Sequence, residues 1–313
     1  MTSLQKSKHP RRSAIAPARA FSAFGEAQGP GLFWSRAHLA AQMSVEIYES
    51  DGVSKSCTLS RLSKALGYEL SFIASENVVA AVGRKGSDAF VCIRGSDDLT
   101  DWRYNFELIA VDSALFGSVH SGFEKQYNIL MPLVREQLGD VRTLNTVTIT
   151  GHSLGGALGL LVAFDLQRNI GLQPEVITFA QPRVGRGAFI EQIGTTLCST
   201  YARFVNPTDP VPRLPFGFQH CGQRFLFGSN NAPSVSHEPD QARADDAPMT
   251  EAEAAKLWPN VQRALDWSLR SFFKFFAWPF QPALRSTNAL IRGHDMGVYL
   301  EKVRKIRALN ETK

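Results

Sequence analysis

Residues 146–156 read Thr146-Val147-Thr148-Ile149-Thr150-Gly151-His152-Ser153-Leu154-Gly155-Gly156. The first five are all β-branched, which favours an extended strand. From Ala157 to Leu166 the chain is apolar and rich in Ala and Leu, which favours a helix. The join between them carries Gly-x-Ser-x-Gly. That pattern alone occurs by chance, but at a strand-to-helix turn it is the context a nucleophilic serine needs. Glycines let the chain reverse sharply and let the helix pack close to the strand. Ser153 then stands at the positive end of a helix dipole.

Outward from this turn, strand-like runs alternate with helical ones. Strands are predicted at Glu69–Ala74, Asn77–Val82, Asp88–Ile93, Asn145–Thr150, Glu175–Ala180, Tyr201–Val205 and Gln219–Phe227, with turn chemistry at Gly83–Gly86. Helices are predicted at Arg36–Tyr48, Leu59–Leu66, Gly122–Leu138 (kinked at Pro132), Leu154–Leu166, Gly187–Leu197 and Gly297–Leu309. Such alternation predicts an α/β protein with a largely parallel central sheet and crossover helices. Residues 1–30, rich in basic, Ala, Ser, Gly and Pro residues, read as a flexible tail. Residues 31–313 read as one domain. Gly228–Met249 reads as a long polar loop, and Val261–Phe276 as a helix with one apolar face and basic residues beside it. That helix suits either core packing or a lipid interface.

A serine hydroxyl attacks only when a base takes its proton. In folds with this turn the acid and the base follow the serine in the order Asp or Glu, then His. Asp209 lies just past the strand Tyr201–Val205, held between Pro207 and Pro210. Asp165, on the helix after the turn, is a poor rival. Three histidines follow. His220 falls inside a predicted strand and His237 in the polar loop. His294 sits in the turn Arg292-Gly293-His294-Asp295 before the last helix and is the expected base, with His237 as the alternative. Negative charge developing on the substrate oxygen needs fixed N–H donors. Leu154, after the nucleophile, is one. Ser96, after the strand Asp88–Ile93, is the other, against the reading that it merely caps a turn.

Bulk properties narrow the field less. The 313 residues are 44% hydrophobic and 20% charged, ordinary for a globular chain, with a formal charge of +5. The basic clusters near each end carry no interleaved aromatic residues, so no nucleic-acid partner is expected. None of the four cysteines forms a Cys-x-x-Cys pair, which argues against a structural zinc site, and the serine chemistry above needs no metal or cofactor. A Cys198–Cys221 bridge is left open, because spacing supplies no geometry. The apolar run near the N-terminus is too short and interrupted for a signal peptide, which predicts an intracellular or peripheral-membrane protein. Secretion is the alternative.

Several blocks together resemble the class 3 lipases, the family of the Rhizomucor-type fungal lipases. They are Val91-Cys92-Ile93-Arg94-Gly95-Ser96 with Trp102, Val119-His120-Ser121-Gly122-Phe123, Gly151–Gly156, Thr178-Phe179-Ala180-Gln181-Pro182-Arg183-Val184-Gly185, Phe204-Val205-Asn206-Pro207-Thr208-Asp209-Pro210-Val211-Pro212, His220-Cys221-Gly222, and His294-Asp295-Met296 with Tyr299. The resemblance implies an α/β-hydrolase fold and a triad of Ser153, Asp209 and His294, with Ser96 and Leu154 as oxyanion donors. It implies that His220 is a strand histidine, that His120 is structural, and that Asp97 to about Leu115 is a lid. Where such lipases often carry an Asp three residues after the lid Trp, this chain has Asn105. A helical cap insertion at 228–290 is a further expectation. The implied activity is triacylglycerol hydrolysis on a lipid or ester substrate, with peripheral contact to lipid interfaces. A phospholipase A or other acyl esterase is the alternative, and a non-catalytic lipase-like binding protein a third reading.

Overall fold

The computed structural model describes residues 29–49, 58–76, 78–95, 110–215, 217–228, 235–238 and 293–311. An eight-stranded sheet runs in the order β1-β2-β3-β6-β7-β8-β9-β10. The strands are β1 (Glu69–Ser75), β2 (Val78–Lys85), β3 (Asp88–Ile93), β6 (Thr146–His152), β7 (Glu175–Phe179), β8 (Tyr201–Val205), β9 (Gln223–Phe227) and β10 (Val235–Glu238). From β3 to β9 all neighbours are parallel, and antiparallel pairs finish both edges. A hairpin of β4 (Ala110–Ser113) and β5 (Gly117–His120) stands apart. The fold is that of the α/β hydrolases.

Period-2 alternation decides which helix covers which face. On β3, Ala89, Val91 and Ile93 point to one face, Phe90 and Cys92 to the other. The first face is covered by α3 (Ser121–Leu138), α4 (Leu154–Ile170) and α5 (Ala188–Thr196). Every residue of α4 from Leu154 to Leu166 is buried, which explains why its apolar residues surround the helix instead of forming a stripe. The other face is covered by α1 (Gly29–Glu46) and α6 (Met296–Glu311), which also pack on each other. Phe33, Trp34, Ala37 and Ala40 of α1 and Tyr299, Val303 and Ile306 of α6 recur at helical spacing. They meet Phe179, Phe204, Phe225 and Phe227 of the sheet. Burying one such large side chain stabilises the fold by about 1.5–3 kcal/mol. A remaining short helix, α2 (Thr58–Leu66), lies against β1.

Several boundaries differ from the sequence reading. β2 runs through Gly83 instead of turning there, because Gly83 pairs with Phe90, whose ring occupies the space a Cβ would need. β9 starts at Gln223, not Gln219. Gly222 has φ +82° and interrupts the extended chain, so Gln219 makes only an isolated bridge to Gly185 and His220 lies outside the strand. The polar stretch after Gly228 contributes β10 to the sheet edge. α4 continues past Leu166 to Ile170 and is stopped by Gly171 in the left-handed conformation. α1 begins at Gly29, ahead of the predicted Arg36. Of the expected lid, residues 110–113 form β4 and 96–109 lie outside the described residues. The segment 261–276 expected as an apolar helix, residues 1–28 and most of the expected cap also lie outside them. Cys92, Cys198 and Cys221 are thiols, not disulfide sulfurs.

Candidate active site

Ser153 joins β6 to α4 with φ +57° and ψ −126°, a conformation L residues rarely hold. The turn keeps it through tight contacts. The Ser153 N–H donates to the Phe179 carbonyl at 2.9 Å. A Cβ on Gly151 would strike the main chain of Gly155, and one on Gly155 would strike the Ile93 carbonyl. The glycines are therefore required by close backbone approach. Leu154 opens α4, so its N–H is among the first-turn donors that have no intrahelical acceptor.

Asp209 follows β8 in a turn closed by its own N–H on the Asn206 carbonyl, 3.0 Å. Its carboxylate accepts from three donors. The Val211 N–H lies 2.9 Å from Oδ1, the Tyr299 hydroxyl 2.7 Å from Oδ2, and His294 Nδ1 lies 3.1 and 3.0 Å from the two oxygens. Since a carboxylate only accepts, Nδ1 of His294 carries the proton. Nε2 is then the lone-pair nitrogen, and it faces Ser153 Oγ at 3.1 Å. Three side chains from distant parts of the chain thus form one hydrogen-bonded line. Ser153 and Asp209 are 2% exposed and His294 6%, so the line is shielded from bulk water, which strengthens its electrostatics.

Further contacts hold the His294 loop. The main chain of Gly293 lies against Thr208, leaving no room for a Cβ. The Asn206 side-chain amide donates to the Gly293 carbonyl at 2.9 Å, and its oxygen accepts from Lys302 Nζ at 2.9 Å. The Asn206 N–H donates to the Tyr299 hydroxyl oxygen, 2.9 Å. Burial and the neighbouring Asp209 charge hold the Tyr299 hydroxyl well above its ordinary pKa, so it stays a neutral donor.

Ser153, Leu154, Asp209 and His294 are therefore brought together as expected. Ser96 lies outside the described residues. Its neighbour Gly95 packs against the turn: a Cβ there would meet the Tyr48 hydroxyl and the His152 carbonyl, and come within 3.3 Å of Ser153 Cβ. The other histidines are elsewhere engaged. His220 Nε2 donates to the Pro212 carbonyl at 2.6 Å. His120 lies buried between the rings of Phe123 and Phe218. Residue 237 lies in β10, paired with Phe225. Asp165 is committed to Tyr127 and Arg135 at 2.7 and 2.8 Å. The sequence reading missed the parts played by Tyr299, Asn206, Tyr48 and His152. Tyr299 was quoted only as part of the terminal block, and its place five residues after His294 on the core face of α6 is the signal that could have suggested its contact with the acid.

The family model for lipase (class 3) matches residues 90–219, the segment that holds the serine turn and Asp209. Through this segment the chain is similar to the class 3 lipases. A lipase of Rhizomucor miehei is 35% identical over 178 residues, covering 53% of this chain and 48% of that protein. A secreted mono- and diacylglycerol lipase of Fusarium solani is 29% identical over 163 residues, covering 50% of this chain and 46% of that protein. The chain thus spans about half the length of these relatives. Lipase II of Rhizopus niveus superposes with a TM-score of 0.55 at 26% identity, over 75% of this chain and 90% of that one.

Proposed function

We propose that this chain is a member of the class 3 lipase family and a serine carboxylic-ester hydrolase that cleaves acylglycerols through an acyl-enzyme. The observation carrying the reading is the unbroken line from Ser153 Oγ through His294 to Asp209, at 3.1 and 3.0 Å. His294 Nε2 takes the proton of Ser153 as Oγ adds to the ester carbonyl. Asp209 stabilises the imidazolium that results. The Leu154 N–H and a donor from the loop after β3 bind the oxygen that becomes negative. His294 then returns the proton to the leaving alkoxide, which departs as the alcohol. Water, deprotonated by the same nitrogen, attacks the acyl-serine, and His294 returns that proton to Ser153 Oγ as the carboxylic acid leaves. Every proton is accounted for by His294, and no step calls for a cofactor.

Acylglycerol as the substrate class rests on the family match and on relatives named as lipases and mono- and diacylglycerol lipases. The test is turnover of p-nitrophenyl butyrate, emulsified triolein, diolein and phosphatidylcholine by wild type and Ser153→Ala. Wild type is expected to hydrolyse the simple ester and the glycerides, and Ser153→Ala to lose at least ~10⁴-fold in kcat. Retained turnover in folded Ser153→Ala overturns the nucleophile assignment. Cleavage of phosphatidylcholine in preference to both glycerides overturns the substrate class.

A further inference from the structure

We infer that His152, braced by Tyr48, is a positioning residue that holds the main chain of the base His294 in register with Ser153. The inference rests on the ester-hydrolase reading and adds residues that the triad does not include. His152 is the last residue of β6 and immediately precedes Ser153. Its Nε2 lies 2.8 Å from the main-chain carbonyl oxygen of His294. A carbonyl only accepts, so Nε2 carries the proton. Nδ1 lies 3.0 Å from the Tyr48 hydroxyl, which sits on the short helical turn Ile47–Glu49 after α1. Burial, reinforced by the neighbouring His294, keeps the His152 imidazole neutral well below its ordinary pKa. Nδ1 therefore has a lone pair, and the Tyr48 hydroxyl donates to it. One tautomer satisfies both bonds, and the direction runs from Tyr48 through His152 to the His294 carbonyl.

The consequence concerns how the base is held. Asp209 grips the imidazole of His294 at one edge, and Gly293 meets Thr208 behind it. Those contacts tie His294 to the acid. His152 ties the His294 backbone to the residue beside the nucleophile, and so bears directly on the 3.1 Å separation of Nε2 and Oγ. A displacement of about 1 Å between reacting groups can cost about 10²-fold in rate. The rings of His152 and His294 are 4.6 Å apart, and the other titratable rings facing His152 are Tyr48 and Tyr299. A second cation at that distance would oppose the imidazolium that forms on His294. The neutral, doubly hydrogen-bonded His152 avoids this.

A histidine that only fills space would be replaceable by any side chain of similar volume. The test compares His152→Leu, His152→Gln and Tyr48→Phe with wild type, using p-nitrophenyl butyrate across pH and fluorophosphonate labelling of Ser153. Leucine fills the space without a donor, whereas the glutamine amide can still donate to the carbonyl. His152→Leu is expected to lose about 10²-fold in kcat with KM within about twofold. The acid limb of its pH profile should move to lower pH, because the imidazolium is held less well against Asp209. His152→Gln should recover at least about tenfold of that loss, and Tyr48→Phe should lose about tenfold. Folded His152→Leu with wild-type kcat and pH profile overturns the inference, as does His152→Gln impaired as severely as His152→Leu. If His152→Leu does not fold, Tyr48→Phe indistinguishable from wild type overturns it. Wild type that takes no label and turns over no ester overturns the ester-hydrolase reading itself, and this inference with it.

Discussion

The Tyr299 hydroxyl donates to Oδ2 of Asp209 over 2.7 Å, the same oxygen that faces His294 Nδ1 at 3.0 Å. The last helix thus fixes the acid through its first turn, five residues after the base. Tyr299→Phe removes that donor and strips the Asn206 N–H of its acceptor. Loss of one hydrogen bond to a buried carboxylate costs about 1.5–3 kcal/mol. We expect kcat to fall about tenfold or more with KM nearly unchanged, and chemical denaturation to register a loss of stability of similar size.

Two buried aspartates should separate cleanly. Asp209→Asn keeps the shape of the acid but lets Nδ1 of His294 lose its proton to the wrong tautomer, and kcat should fall about 10⁴-fold in a folded protein. Asp165 instead joins α4 to α3 through Tyr127 and Arg135. Asp165→Asn should cost about 1–3 kcal/mol of stability and leave kcat within about threefold. Equal losses of kcat in the two variants would sink the assignment of the acid.

Gly293 has no room for a side chain, because a Cβ would meet the Thr208 main chain 2.8 Å away. The atoms it would meet are the carbonyl carbon and oxygen of Thr208 and its short hydroxyl, so none can swing aside. Gly293→Ala should push the His294 loop away from Asp209, with a loss of about 10²-fold in kcat and a lowered melting temperature. A variant with wild-type kcat would show that this close approach is dispensable.

The neutral state of His152 also sets a pH dependence of folding. Its pKa in the folded chain lies well below the unfolded value of 6.5. Between those two values the unfolded chain binds the extra proton and the folded chain does not. Stability contributed by the neutral imidazole is therefore complete above about pH 6.5 and is lost as pH falls towards the folded value, at up to about 1.4 kcal/mol per pH unit. Urea unfolding at pH 7.5 and 5.5 should show lower stability at the acid value. The difference should shrink in His152→Gln, and an unchanged difference would assign the slope to other groups.

Much of the molecule was legible from local pattern. The β-branched run 146–150 followed by Gly-x-Ser-x-Gly predicted the β6–α4 turn, and alternating strands and helices predicted a parallel sheet. Asp209 and His294 were readable as the candidate acid and base because turn residues surround them after the serine turn, and the structure brings both side chains to Ser153 in one hydrogen-bonded line. Less legible were the turn at Gly83, which Phe90 overrides, and the start of β9, which Gly222 delays. At Gly83 a neighbouring ring across the sheet decided the matter and at Gly222 a positive φ did, and no local period reports either.

By itself the chain order pointed to the candidate residues for the chemistry and to the apolar face of each element, since side-chain period and turn preference are properties of neighbours in sequence. The tertiary structure alone decided that the Tyr48 hydroxyl meets His152 across 104 positions, that His152 meets the His294 carbonyl across 142, and that His294 meets Ser153 across 141. Hydrogen bonds of 3 Å between such distant groups depend on strand order and helix placement, which sum over the whole core. A single residue's type fixes what it can donate or accept, and only the packed sheet fixes to whom.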